Sequence, residues 1–277
     1  MRYSRPAVMG IINATPDSFY AASRACTEAE VAARAERMAA EGADMLDVGA
    51  CSTRPGASAP DASTEWARLE PALRAVRKAV GEDMPVSVDT FRAEVARRAV
   101  ESGMADIVND IGGGTLDAAM FDTVAGLRVP YVLMHMRGTP ADMQTRTDYG
   151  ERGVVAEVIA ELAGRVDRLE QMGVADVIVD PGFGFAKTLE QNYALLSALG
   201  TVADALRRPL LAGMSRKSMA TRLLGIDAAD ALPATSALNM LALERGASIL
   251  RVHDVAEAVQ VVEMYTRLCG SAAEKNI

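Results

Sequence analysis

The sequence predicts a (β/α)8 barrel. Three observations carry that expectation: eight short apolar runs, helical patterns that separate them, and a glycine junction recurring between helix and strand. The runs occupy 8–12, 45–48, 86–88, 107–108, 131–134, 177–179, 210–211 and 249–252. They are apolar on both faces, which suits a parallel sheet covered by helices. An open doubly wound sheet satisfies the same alternation, but the count of eight favours the barrel.

Taken in order, the first run ends on Asn13. Positions 27–41 then place Val31, Ala35, Met38 and Ala39 at helical spacing, and Thr27 and Glu30 stand at the separation of a capping box. The second run contains Asp47. After it, Gly49 to Ser63 shows neither helical nor strand periodicity, and a loop of that length is often a mobile lid. A helical pattern at 64–80 leads to the third run, closed by Asp89, and another at 91–102 leads to the fourth, closed by Asn109. Ile111-Gly112-Gly113-Gly114 follows, then a pattern at 116–126 and the fifth run, closed by His135. The pattern at 150–172 precedes the sixth run, which ends on Asp180 and opens into Pro181-Gly182-Phe183-Gly184-Phe185. Patterns at 188–199 and 217–245 flank the seventh run and Ser215-Arg216-Lys217. The eighth run carries Arg251, with His253 just beyond, and 254–268 reads as a final helix. Gly42, Gly103, Gly173 and Gly246 each end a helical pattern just before a strand, where glycine supplies the left-handed residue that stops a helix.

Bulk properties limit the function classes. A chain of 277 residues fits one barrel unit spanning 1–277. The formal charge of −8, without a basic block, argues against nucleic acid as a partner. Cys26, Cys51 and Cys269 form neither a disulfide framework nor a zinc spacing. No run approaches the roughly 20 apolar residues of a membrane span, and the first residues lack a secretory pattern. The expectation is a cytoplasmic protein without a membrane partner.

In a barrel of this kind the C-terminal strand ends converge on one rim, where active sites are built. Any single Asp or Asn there could be a turn former or helix cap. Caps do not call for Lys217, Arg251 or His253, so the set as a whole points to a site. Arg251 and His253, two residues apart, can face one side of an extended segment and form an anion seat. His135 reads as a satisfied core residue. No Walker motif or dinucleotide fingerprint is present, and neither histidine has the partners of a hydrolase.

Several ordered segments resemble the dihydropteroate synthase family of pterin-binding enzymes. They are 10–19 (Gly10 to Phe19), 52–56, 87–90, Asn109-Asp110, 134–140, 180–185, 215–218 and 251–254. The match runs from about residue 8 to 255. The resemblance implies condensation of 6-hydroxymethyl-7,8-dihydropterin diphosphate with 4-aminobenzoate, giving 7,8-dihydropteroate and pyrophosphate. It implies pterin contacts from Asp89, Asn109, Ile111, Met134, Asp180 and Lys217, and diphosphate contacts from Asn13, Arg251 and His253. Thr53, Arg54, Pro55, Phe185 and Ser218 match the aminobenzoate region, and Asp89, Lys217 and Arg251 the catalytic set. Asn13 matches a magnesium ligand, Mg2+ being the implied cofactor, and the implied assembly is a homodimer. The chain departs from the family pattern at Tyr20-Ala21-Ala22-Ser23, at Cys51 where Glu is common, and at Ala186 where Gly is usual. These departures bear on loop closure, aminobenzoate affinity and sulfonamide response. Two rival readings fit the residues less well. A methyltetrahydrofolate-binding methyltransferase would not need the Ser-Thr-Arg-Pro-Gly loop or a diphosphate seat. A non-catalytic pterin-binding paralogue would not need Lys217 or Arg251.

Overall fold

The computed structural model describes residues 5–14, 27–51 and 60–274. Eight parallel strands close in sequence order: β1 (Ala7–Asn13), β2 (Met45–Gly49), β3 (Val86–Asp89), β4 (Ile107–Asp110), β5 (Tyr131–Met134), β6 (Val177–Asp180), β7 (Leu210–Ala212) and β8 (Ala247–Val252). β8 pairs with β1, Met9 standing opposite Arg251, and the open-sheet alternative falls. The surrounding helices are α1 (Glu28–Ala40), α2 (Ala62–Val80), α3 (Ala93–Glu101), α4 (Met120–Leu127) and α5 (Gly153–Gln171). After them come α6 (Leu189–Ser197), α7 (Leu199–Leu206), α8 (Ser218–Leu224), α9 (Leu232–Glu244) and α10 (Val255–Glu274).

Local chemistry sets these boundaries. The Thr27 hydroxyl accepts from the Glu30 amide at 3.2 Å and the Glu30 carboxylate accepts from the Thr27 amide at 3.0 Å, completing the capping box at α1. Val31, Ala35 and Met38 then bury one face of that helix. All four junction glycines adopt positive φ, between 72° at Gly103 and 96° at Gly42. The aspartates two residues beyond Gly42 and three beyond Gly103 anchor the bottom of the barrel. Asp44 accepts from the Val8 amide and pairs with Arg5, while Asp106 accepts from the Val86 amide and pairs with Arg77. The single helical pattern read at 217–245 is two helices. Gly225 ends α8 in the left-handed region, and Pro233 at the start of α9 supplies a φ suited to a first turn. The pattern at 188–199 also continues further, as α6 and α7.

The core has three parts, the smallest gathered around Ile111, Met134 and Phe185 beside the C-terminal strand ends. Of the other two, one lies between strands and helices. The other fills the barrel itself, where Ala7, Met9, Met45, Ile107, Val132, Ile178, Leu211 and Ile249 pack together. This plug closes the barrel from below and leaves the C-terminal strand ends as the wall of a cavity.

Candidate active site

Inward-facing residues alternate along a strand, so the position two beyond a plug residue faces the same way. Asp47 follows Met45, Asn109 follows Ile107, Asp180 follows Ile178 and Arg251 follows Ile249. A cavity of about 430 Å3 opens above the plug. It is lined by Asn13, Asp89, Asn109, Ile111, Met134, Asp180, Phe185, Lys217, Ser218, Arg251 and His253. Every described residue that the sequence nominated is therefore brought to one cavity. Thr53, Arg54 and Pro55, the core of the suggested lid, and Tyr20 to Ser23 lie outside the described residues.

Arg251 is already engaged. Its Nε lies 2.7 Å from Asp47 Oδ2, and its Nη2 lies 2.8 Å from Asp89 Oδ2. Asp47 Oδ2 also accepts from Asn109 Nδ2 at 2.9 Å, while Asp47 Oδ1 is buried without a hydrogen bond. One guanidinium thus serves two carboxylates. Burial raises Asp89 to about 7, with Arg251 opposing the rise and Asp47 and Glu65 adding to it. Asp180 is also raised by burial, with Lys217 and the Gly182 amide pulling it back, the latter donating at 2.7 Å.

Lys217 follows β7, between the ends of β6 and β8 that carry Asp180 and Arg251. Its Nζ donates to the Phe183 carbonyl at 3.0 Å and lies 4.8 Å from the centre of the Phe185 ring. Burial lowers it to about 8, against the pull of Asp180. A methyl placed on Gly213 would sit 3.7 Å from Lys217 Nζ and 3.8 Å from Asp180 Oδ2, so the two charges flank that glycine. Its neighbour Arg216 has a different task. With φ at 54°, it makes a two-bond pair to Asp254, each bond 2.8 Å, and donates to the Ala229 carbonyl, tying the β7 and β8 ends together.

His253 and Arg251 do line one cavity, as their spacing suggests, but the imidazole is not a second cation. Burial and the neighbouring guanidinium lower it to about 3, which leaves it neutral near pH 7. Its Nδ1 lies 3.0 Å from Ser215 Oγ, a hydroxyl that the sequence reading assigned no role. Asn109 and Asp110 divide the work at the end of β4. Asn109 faces the cavity, whereas Asp110 accepts from the Gly112 and Gly114 amides and from Tyr131, which shapes the glycine turn. That turn has a reason beyond flexibility, because a side chain at Gly113 would meet the Met134 carbonyl at 2.3 Å.

Other participants were not visible as such in the sequence. Asp47 appeared only as one polar residue among many, and its place as the common partner of Asn109 and Arg251 is a matter of tertiary geometry. Lys187 also lines the cavity, yet it follows a loop rather than a strand. His135 is fully buried, as its core reading expects, with Lys187 against its ring.

Asn13, at the end of β1, lines the cavity and carries an amide oxygen as a donor for a metal. Among the described residues, no three His, Cys, Asp or Glu side chains cluster as a dedicated metal cage. One oxygen donor beside a phosphate-bearing substrate fits the way magnesium is commonly held, by few protein ligands, phosphates and water.

Comparison with known proteins agrees with this geometry. The family model described as pterin binding enzyme matches residues 9–253. The chain is 40% identical over 263 residues to the dihydropteroate synthase of Synechocystis sp., covering 94% of this chain and 89% of that one. A dihydropteroate synthase of Yersinia pestis, solved in complex with a sulfonamide drug, superposes with a TM-score of 0.89 at 35% identity, covering 96% of this chain and 95% of that one. The Burkholderia cenocepacia dihydropteroate synthase complexed with 7,8-dihydropteroate gives a TM-score of 0.84 at 40% identity, covering 98% and 94%. The chain spans about half the length of the bifunctional folate synthesis proteins that it also matches.

Proposed function

The chain belongs to the pterin-binding enzyme family, on its dihydropteroate synthase branch, and we propose how its rim residues perform that transfer. The substrates are 6-hydroxymethyl-7,8-dihydropterin diphosphate and 4-aminobenzoate; the products are 7,8-dihydropteroate and pyrophosphate. The observation that carries the assignment of roles is the meeting of Asp89, Asn109, Asp180, Lys217 and Arg251 in one cavity.

A pterin edge carries N–H donors beside acceptors. Asp180 accepts from that edge, Lys217 donates to the ring carbonyl and ring nitrogen, and Asn109 and Asp89 read the remaining positions. Ile111 and Met134 supply apolar walls. Each such buried polar contact is worth about 1–3 kcal/mol, because its loss strands a desolvated partner.

The carbon–oxygen bond to the diphosphate breaks with its electron pair leaving on the diphosphate, and the ring system stabilises the methylene cation. The arylamine nitrogen then forms the new bond and loses a proton. No protein nucleophile is required, so acceleration rests on placement and on charge stabilisation at the leaving group. Arg251 provides that charge by exchanging carboxylate contacts for phosphate oxygens. Neutral His253 provides a hydrogen bond rather than a charge. A magnesium ion held by Asn13 and the substrate's phosphates would, when bound, neutralise part of the charge on the departing diphosphate. Phe185 and Ser218, with Thr53, Arg54 and Pro55, form the aminobenzoate subsite, where a sulfonamide would compete.

A homodimer and a cytoplasmic location complete this reading. Leu241 of α9 and Met264 and Leu268 of α10 are exposed apolar residues on helices that pack together, which supports a self-associating face. No helix among the described residues is long and apolar enough to cross a membrane, and neither Cys51 nor Cys269 is in a disulfide. Purified protein supplied with magnesium and both substrates should release pyrophosphate and dihydropteroate in equal amounts. Absence of both products would overturn the assignment.

A further inference from the structure

Lys187 has no part in the mechanism above, yet it is one of the most enclosed cations in the molecule, only 3% exposed. Its Nζ donates to the Gly182 carbonyl at 2.9 Å and to the Phe185 carbonyl at 2.9 Å, and lies 3.1 Å from His135 Nδ1. These three partners come from both ends of the loop that follows β6 and from the end of β5. Burial lowers Lys187 to about 7, with Asp180 opposing the fall; in its ammonium form it has three donors and no acceptor, so using all of them requires a lone pair on His135 Nδ1. The ring proton then belongs on Nε2, which faces Glu161 Oε2 at 3.2 Å. The two groups are in contact but are not aligned as a hydrogen bond. The other Glu161 oxygen accepts from Arg137 Nε at 2.8 Å. Burial lowers His135 to about 4, so the ring is the neutral form that this arrangement needs.

The loop under this clamp carries Phe185. Its crest has other ties, since the Tyr149 hydroxyl donates to the Ala186 carbonyl at 2.9 Å and the Gly184 amide donates to Asn192 Oδ1 at 2.7 Å. Neither touches the Phe185 backbone. Asp180, by contrast, is fixed without Lys187, because it stands opposite Met134 in the strand ladder and its carbonyl accepts from the His135 amide at 2.9 Å. Gly182 lies tight against the end of β5, where a side-chain atom would come within 2.0 Å of the His135 carbonyl.

We propose that Lys187 is a positioning residue for the aminobenzoate subsite. Its hold on the Gly182 and Phe185 carbonyls sets the Phe185 ring against which the arylamine is placed, through a Lys187–His135–Glu161 relay. This rests on the synthase reading, so the wild-type protein is assayed first. Lack of turnover there counts against that reading, whereas the variants judge Lys187. Lys187→Met should raise KM for 4-aminobenzoate about tenfold or more, the cost of stranding the Phe185 carbonyl, since the Gly182 carbonyl keeps the Phe185 amide at 3.1 Å. Direct binding of the pterin diphosphate without arylamine should stay within about twofold. Lys187→Gln keeps two N–H donors and should recover most of the loss. An unchanged aminobenzoate KM, or an equal rise in both constants, overturns the proposal. Should a variant fail to fold, the wild-type protein still decides it. The chain has two histidines, so long-range nitrogen–proton correlation spectra can resolve the His135 ring. The expected species is the neutral Nε2–H tautomer; an Nδ1–H tautomer removes Lys187 as donor and ends the argument.

Discussion

One set of strands builds two storeys of opposite character inside the barrel. The lower storey is apolar throughout, and its residues are at most 8% exposed. Two positions further along, Met45 gives way to Asp47, Ile107 to Asn109, Ile178 to Asp180 and Ile249 to Arg251. The step is about 6.6 Å of strand, two residues of rise. The apolar storey excludes water from beneath the polar one, and the charged groups above it titrate as desolvated groups do. Asp89 and Asp180 rise, while Lys217 and His253 fall. Stability and chemistry are therefore carried by adjacent side chains on the same strands, and substitutions should separate them.

The largest effect tests the lower storey. Ile107→Ala removes a fully buried side chain from the plug and should cost about 2–5 kcal/mol in denaturant unfolding. Pterin affinity measured by calorimetry should be nearly unaltered. A matching loss of affinity would show that the storeys are not independent. Next comes Arg251→Ala above it, which should lower turnover by about a hundredfold or more, as for loss of one preorganised charge-stabilising donor. The same change removes the cation that opposes the rise of Asp89, so that carboxyl should be pushed further up. Near-normal steady-state rates would remove Arg251 from the chemistry.

The two storeys were not equally legible in the sequence. Apolar runs and junction glycines reveal the strands because each signal is local: a run of Val, Ile and Leu, and a glycine whose φ must be positive. The polar rim was legible as a set for the same reason, since a strand end announces itself where its apolar run stops. What the sequence does not display is pairing. Asp47 and Arg251 are 204 residues apart, and only barrel closure sets one carboxylate between Asn109 and a guanidinium. The spacing of Arg251 and His253 suggested an anion seat but not the burial that keeps the imidazole neutral. Lys187 escaped notice because it follows a loop, where the strand-end rule has nothing to say. The merged helix at 217–245 is a different failure: Gly225 and Pro233 were both visible, but apolar periodicity runs straight across them.

The smallest effect concerns Ala186, where the family resemblance has glycine and this chain does not. Its φ is 51°, in the left-handed region that disfavours a side chain, yet its methyl is wholly buried beside Met143 and Phe185. Relief of the backbone conflict by Ala186→Gly is worth about 1–2 kcal/mol. Against it stand one lost buried methyl, about 0.8 kcal/mol, and a freer unfolded chain, about 0.4–1 kcal/mol. The terms nearly cancel, so the unfolding free energy should change by less than about 1 kcal/mol. A larger gain in thermal denaturation would mean that the upper storey carries backbone strain the lower one lacks. A larger loss would mean that packing under Phe185 is as tight as in the plug, and the contrast between the storeys would then be one of polarity alone.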